Sequence, residues 1–145
     1  MTASACVGAT SVFVDCEPET GNVTAEAVRA AVTERTKAIS VVHFLGIPCD
    51  MPAICEVAAE HGLKVIEDCA LAVGSRWGER HVGLFGDAGC FSFYPAKHLT
   101  TGEGGMLVSR HRAAADAVST LRAFGVDRGP AGRSASGMYD VPTLG

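Results

Sequence analysis

The sequence predicts an α/β fold, a mostly parallel sheet flanked by helices on both faces, and three observations carry that prediction. Two apolar, β-rich runs at residues 38–44 and 63–66 flank a segment whose apolar residues recur at helical spacing. The connection between them is long enough for a parallel crossover, and right-handed crossovers put both strands in one sheet with their carboxyl ends on one rim. Glycine supplies 17 of 145 residues alongside 48% hydrophobic residues, which marks a folded chain with many tight turns and excludes disorder.

The elements follow in order. Val12-Phe13-Val14 is a short β-rich run stopped by Asp15. Thr24 stands where a helix N-cap belongs, with Glu26 in the first turn and Val28, Ala31 and Val32 on one face. The run at 38–44 is apolar on both faces, as suits a strand covered on both sides. Asp50 caps the next helix, Pro52 is tolerated in its first turn, and Met51, Ile54, Val57, Ala58 and His61 share a face that Gly62 closes. The strand at 63–66 ends in Glu67-Asp68. Residues 74–89 are irregular and turn-rich. Residues 90–94 read as a strand stopped by Pro95, and the turn at 102–105 leads into another at 106–108. Ser109 caps a last helix with Ala114, Ala117, Val118, Leu121 and Phe124 on one face and Gly125 at its C′ position. Residues 126–145 read as loop.

Composition removes several classes of function. A formal net charge of −4 without a Lys/Arg cluster gives no footprint for nucleic acid. The start carries no positive leader, and the longest nearly apolar run, residues 38–49, is broken by Ser40, His43 and Pro48. The expectation is a soluble, cytoplasmic protein that does not enter a membrane. The six cysteines show no C-x-x-C spacing, and no His pair has the spacing of a zinc helix, so they read as reduced apolar fillers with no metal site.

Chemistry gathers at two residues. Asp68 ends a buried strand on the rim where open α/β sheets bind ligands, so its carboxylate needs a cation or hydrogen-bond donors. Taken alone, it equally fits a structural acid capping the glycine-rich loop. Lys97 follows a later strand end; taken alone it reads as a solvated loop lysine, but a lysine in a partly dry place can act as nucleophile or base. Together, 29 residues apart, they fit a pyridoxal-phosphate layout. There a lysine binds the cofactor's aldehyde and an acid keeps the ring nitrogen protonated. Ser92, five residues before Lys97, could reach a phosphate oxygen, and equally fits a strand serine hydrogen-bonded to backbone. His43 lies on the same rim and reads as a hydrogen-bonded structural residue, Trp77 and Tyr94 as packing residues. Residues 83–89 carry glycines faintly like a dinucleotide loop, but the spacing is wrong and a strand follows.

Four motifs stand in one order: Val42-His43-Phe44-Leu45-Gly46, Ile66-Glu67-Asp68-Cys69-Ala70, Gly86-Asp87 with Phe91-Ser92-Phe93-Tyr94-Pro95-Ala96-Lys97, and Gly102-Glu103-Gly104-Gly105. With them the chain resembles the DegT/DnrJ/StrS sugar aminotransferases, pyridoxal-phosphate enzymes of the aspartate-aminotransferase fold type (fold type I). The resemblance runs from Val12 to Pro142. It implies that Lys97 is catalytic, binding the cofactor and moving the proton. It also implies that Asp68 pairs with the ring nitrogen, that Ser92 contacts the phosphate, and that Leu71 lies near the ring oxygen where many members have Gln or His. Leucine cannot donate there, so another group or water must. A dehydratase branch replaces the lysine with His; here Lys97 is present and His98 only follows it.

The implied activity moves an amino group, with glutamate as the expected donor, to a keto group of a nucleotide-linked sugar in amino-sugar biosynthesis, by a homodimer when full length. Residues 1–145 would be the central part of the cofactor-binding large domain, without the N-terminal phosphate turn and the C-terminal small domain. Such a fragment is expected to expose apolar faces, to bind the cofactor poorly and to turn over slowly or not at all. Two other readings stand beside this one: a non-catalytic, regulatory cofactor-binding relative, and a dinucleotide-binding module using Asp68 on a ribose.

Overall fold

A computed structural model of the chain describes residues 2–123, 125 and 126. It divides into two units, Met1–Val108 and Ser109–Gly145. The first unit runs α1 (Thr2–Cys6), α2 (Ala25–Ala31), β1 (Ala38–Val42), a 3-10 turn (Phe44–Gly46), α3 (Met51–Glu60) and β2 (Lys64–Asp68). A small hairpin, β3 (Arg76–Trp77) and β4 (Arg80–His81), follows, then β5 (Ala88–Ser92) and β6 (Gly105–Ser109). The main sheet has the order β1-β2-β5-β6, and both β1–β2 and β2–β5 are parallel.

The crossover from β1 through α3 to β2 forms as its pattern dictates. Asp50 Oδ1 accepts from the Ala53 amide at the helix start, and Gly62 takes φ +64 just beyond its end. Met51, Ile54 and Val57 are fully buried against Ile39, Val41 and Val65, with Ala25 and Val28 of α2 in the same core. Burying each large side chain contributes about 1.5–3 kcal/mol before the entropy of ordering it is subtracted. Thr24 caps α2 through its hydroxyl, which accepts from Ala27 N.

Several expectations are corrected. Helices α2 and α3 cover one face of the sheet: β1 alternates between buried Ile39 and Val41 and exposed Ala38, Ser40 and Val42. Val42 is 50% and Ile66 40% exposed, so among the described residues the outer face of β1 and β2 stays open. Val12-Phe13-Val14 is not a strand; Phe13 is 73% exposed, and local β-propensity without a partner strand makes no ladder. Cys6 and Cys16 are exposed rather than apolar fillers, although all six cysteines are free. Within residues 74–89 lies the β3–β4 hairpin.

In the second unit, α4 (Arg112–Leu121) starts three residues after Ser109. Its N-cap is His111, whose amide donates to Ser109 Oγ. Ser109 is still the last residue of β6, which is why it cannot cap the helix. Ala114, Ala117 and Leu121 are exposed and Val118 is half-buried. Gly125 takes φ +74 and its amide bonds Thr120 O, as expected of C′. Phe124 and the loop expected at 127–145 lie outside the described residues. Among the described residues no helix is long and apolar enough to cross a membrane.

Candidate active site at the carboxyl rim of the sheet

The parallel register sets Val42 beside Asp68 and Asp68 beside Cys90. Side chains alternate along a strand, so Asp68, Cys90 and Ser92 rise from one face, opposite to the one that α2 and α3 cover. Asp68 is half-buried, its Oδ1 accepts from Ala70 N at 3.0 Å, and its carbonyl accepts from His43 N at 3.1 Å. Ser92 ends β5, half-buried, its Oγ accepting from Tyr94 N at 3.4 Å. The chain then turns, Lys97 N bonding Tyr94 O. Thr100 Oγ1 and Thr101 N both donate to Phe93 O, so the turn bearing Lys97 is tied back to the end of β5. Lys97 is half-buried. The structure therefore brings Asp68 and Ser92 to one rim and roots Lys97 in the turn that leaves it.

Leu71 lies in the turn after β2, half-buried. Its carbonyl packs on Gly46, where an added Cβ would stand 2.9 Å from Leu71 O. Ser75 Oγ also donates to Gly46 O, at 2.7 Å. Trp77 and Tyr94, expected to pack, are 38% and 52% exposed.

The thiols around this rim are kept protonated. Burial pushes Cys69 up to about 12, with the carboxylates of Glu67 and Asp68 adding to the shift. Burial likewise raises Cys49 to about 11. Cys90 is raised by burial and then by Asp68, which places that carboxylate's field at β5. None of the three is a nucleophile at neutral pH.

The model of the DegT/DnrJ/EryC1/StrS aminotransferase family matches residues 1–141. The chain belongs to this family. A UDP-N-acetyl-3-dehydro-alpha-D-glucosamine 3-aminotransferase of Acidithiobacillus ferrooxidans is 53% identical over 104 residues, 71% of this chain and 28% of that protein. A dTDP-4-dehydro-2,6-dideoxy-D-glucose 3-dehydratase of Saccharopolyspora spinosa is 46% identical over 120 residues, 83% of this chain and 26% of that protein. The solved aminotransferase of Psychrobacter cryohalolentis superposes on the whole chain with a TM-score of 0.91 and 36% identity, and the chain covers 38% of it. The chain thus spans about a third of the length of the relatives it matches.

In this DegT-family chain, the sequence reading missed the best-connected residue of the site region. Glu67 is fully buried, and each of its oxygens accepts twice. Oε2 takes Gly83 N at 2.6 Å and His43 Nε2 at 3.1 Å; Oε1 takes Phe85 N at 2.8 Å and Gly86 N at 2.6 Å. His43 Nδ1 accepts from Cys49 N, so the ring proton sits on Nε2 and points at Glu67. His43 is thus buried structure, as its sequence reading favoured. A signal for Glu67 was present: with Val65 facing the core, the two-residue period turns Glu67 inward as well.

His43, Glu67 and Cys69 also form the cluster, among the described residues, whose ligand atoms lie within 4.8 Å of one another. Both imidazole nitrogens and both carboxylate oxygens are already engaged, and the thiol is held protonated, so this is a hydrogen-bonded core rather than a set of free ligands.

Burial by itself would raise the Glu67 pKa, but the bonds from His43, Gly86 and Gly83 outweigh it and hold the carboxyl below its usual range. A depressed folded value contributes stability above the unfolded pKa and loses it as pH falls through the folded one. Stability should therefore decline from about pH 5 downward. Glu67→Gln should show a shallower decline over the same range in urea titrations at stepped pH. An unchanged slope in the variant would assign the acid limb to other carboxylates.

Proposed function

We propose that this chain carries the central cofactor-binding part of a pyridoxal-phosphate-dependent aminotransferase acting on a nucleotide-linked keto sugar. The observation that carries the reading is the shared rim: a half-buried carboxylate at the end of β2, a hydroxyl at the end of β5, and an amine in the tied-back turn that follows. That donor set fits the cofactor, which needs an anion for its ring nitrogen, a donor for its phosphate and an amine for its aldehyde. When bound, the cofactor supplies an electron sink for the carbanion formed at the amino donor's Cα.

The chain's own residues supply the rest. Asp68 would hold a proton on the ring nitrogen, Ser92 Oγ would donate to the phosphate, and Lys97 Nζ would hold the aldehyde carbon and then carry the proton. Leu71 would make the ring-oxygen side apolar, so that oxygen would need a donor from another group or water. The donor substrate is an amino acid, glutamate in this reading; the acceptor is a sugar nucleotide, a choice that the activity of the Acidithiobacillus relative supports. The whole protein works as a cytoplasmic homodimer.

The dinucleotide alternative loses its basis, because the glycines it needs have other work. An added Cβ at Gly83 would meet Phe91 at 2.7 Å, one at Gly86 would meet Val65 O at 2.6 Å, and one at Gly89 would run into Gly83. Those glycines let the 83–86 loop close onto Glu67 and β5.

The test is the half-reaction. Protein loaded with pyridoxal phosphate and given glutamate should lose its visible absorbance and release 2-oxoglutarate. Adding a UDP-linked 3-keto sugar should restore the absorbance and yield the amino sugar by mass. Cofactor binding with no response to any amino acid, in the whole protein as well as in this chain, would support the non-catalytic relative and remove the transferase reading. Asp68→Asn should slow the half-reaction more than it weakens cofactor binding.

A further inference from the structure

The Glu67 carboxylate is a costly thing to bury. An apolar residue of similar size would fill the space without the desolvation, unless position rather than stability is at stake. What its four bonds tie together is specific. Gly83, Phe85 and Gly86 belong to the loop that runs directly into β5, and His43 belongs to the turn that leaves β1. Three register pairs join β2 to β5: Ile66 with Ala88, Glu67 with Gly89, and Asp68 with Cys90. A slip of one residue there would send Ser92 to the opposite face and shift the Lys97 turn with it.

We propose that Glu67 is a positioning residue, a buried clamp that fixes the register of β5 on β2 and so sets where Ser92 and Lys97 stand relative to Asp68. It touches neither substrate nor cofactor. Its neighbour Asp87 holds the outer end of the same junction, Oδ2 accepting from Val65 N at 2.9 Å, but there the pairing Lys64 is largely exposed. Glu67 is the part of the junction sealed from water and closest to the rim. The inference rests on the functional reading above for the roles of Ser92 and Lys97, though the clamp itself does not.

The experiment has two arms on the same 145-residue chain. Amide hydrogen exchange by NMR reads the clamp at Gly83, Phe85 and Gly86, with Val57 and Ala58 of α3 as internal reference. Borohydride reduction in the presence of pyridoxal phosphate, mapped by peptide mass, reads the position of Lys97 against the chain's two other lysines, Lys37 and Lys64.

In Glu67→Gln, which puts an amide donor among four donors, exchange at the three amides should quicken about tenfold or more while α3 stays protected. The share of label on Lys97 should fall towards that on Lys37. His43→Phe, which keeps a ring and removes one donor, should show a smaller version of both changes and serves if Glu67→Gln unfolds. Unchanged exchange at the three amides overturns the clamp, and so does quickened exchange with the Lys97 share intact. Exchange that quickens equally in α3 in both variants shows a merely structural role and also overturns it. No preference for Lys97 in the unsubstituted chain, at cofactor concentrations high enough to label Lys37, overturns the functional reading, and the exchange arm then still decides the clamp.

Discussion

Replacing Lys97 with alanine is expected to remove the borohydride-fixed cofactor from that position and to cut amino transfer by about 10²–10⁴-fold from the loss of proton transfer alone. The expectation follows from what else the rim contains. Cys69 and Cys49 are held as thiols by burial, with pKa values pushed to about 12 and about 11, and Cys90 is raised as well, so none can substitute as nucleophile or base. His43 is sealed in the core, its Nδ1 taken by Cys49 N and its Nε2 by Glu67. Lys64 is drawn to Asp87 at 3.1 Å at the other end of β2. Lys97→Arg keeps the charge but cannot form the link to the aldehyde, and should be as inactive as the alanine variant. Added methylamine should restore part of the half-reaction in the alanine variant and not in the arginine one. Full activity in either variant would remove Lys97 from the mechanism.

The sequence showed the rim but not what supports it, for reasons visible in single residues. The β1–α3–β2 crossover was legible because Asp50, the Ile54/Val57/Ala58 stripe and Gly62 each state a local rule that the structure obeys. From it the carboxyl-end position of Asp68 followed by topology alone. Lys97 and Ser92 were legible only as a spacing and a resemblance, since nothing local to them fixes their turn. That work falls to Thr100 and Thr101, beyond the strand, which bond back to Phe93 O. Glu67 was passed over because an acid beside Asp68 at a strand end looks solvent-facing until the inward parity of Val65 is followed two residues further. The glycines at 83, 86 and 89 looked like a ligand loop. Their use is close approach of backbone to Phe91, Val65 and one another, a long-range fact with no local signature. Coverage of both sheet faces was inferred from apolar residues at both parities of β1, but in the described structure Val42 on the outer parity stays half exposed.

Ile54→Ala should produce the largest loss of stability, about 2–5 kcal/mol, against a total of about 5–15 kcal/mol for a domain. Ile54 has no exposed surface and lies in the middle of α3, with Met51 and Val57 equally buried on either side. Val41 and Val65 are nearly closed beneath the helix, on strands fixed by five register pairs, so the site has little freedom to collapse around the cavity. Urea unfolding should show a lower midpoint with an unchanged slope, since the surface exposed on unfolding hardly changes. Glu56→Ala, on the exposed side of the same helix, should stay within about 0.5 kcal/mol of the unsubstituted chain. The comparison bears on the site as well. The covered face of β1 and β2 rests on α3, whereas Asp68 and Ser92 point from the opposite face. An Ile54→Ala chain that remains folded should therefore keep its Lys97 labelling preference while losing stability, the reverse of the pattern expected for Glu67→Gln. If Ile54→Ala instead lowers that preference as far as Glu67→Gln does, the register of β5 depends on the core as a whole and not on the carboxylate.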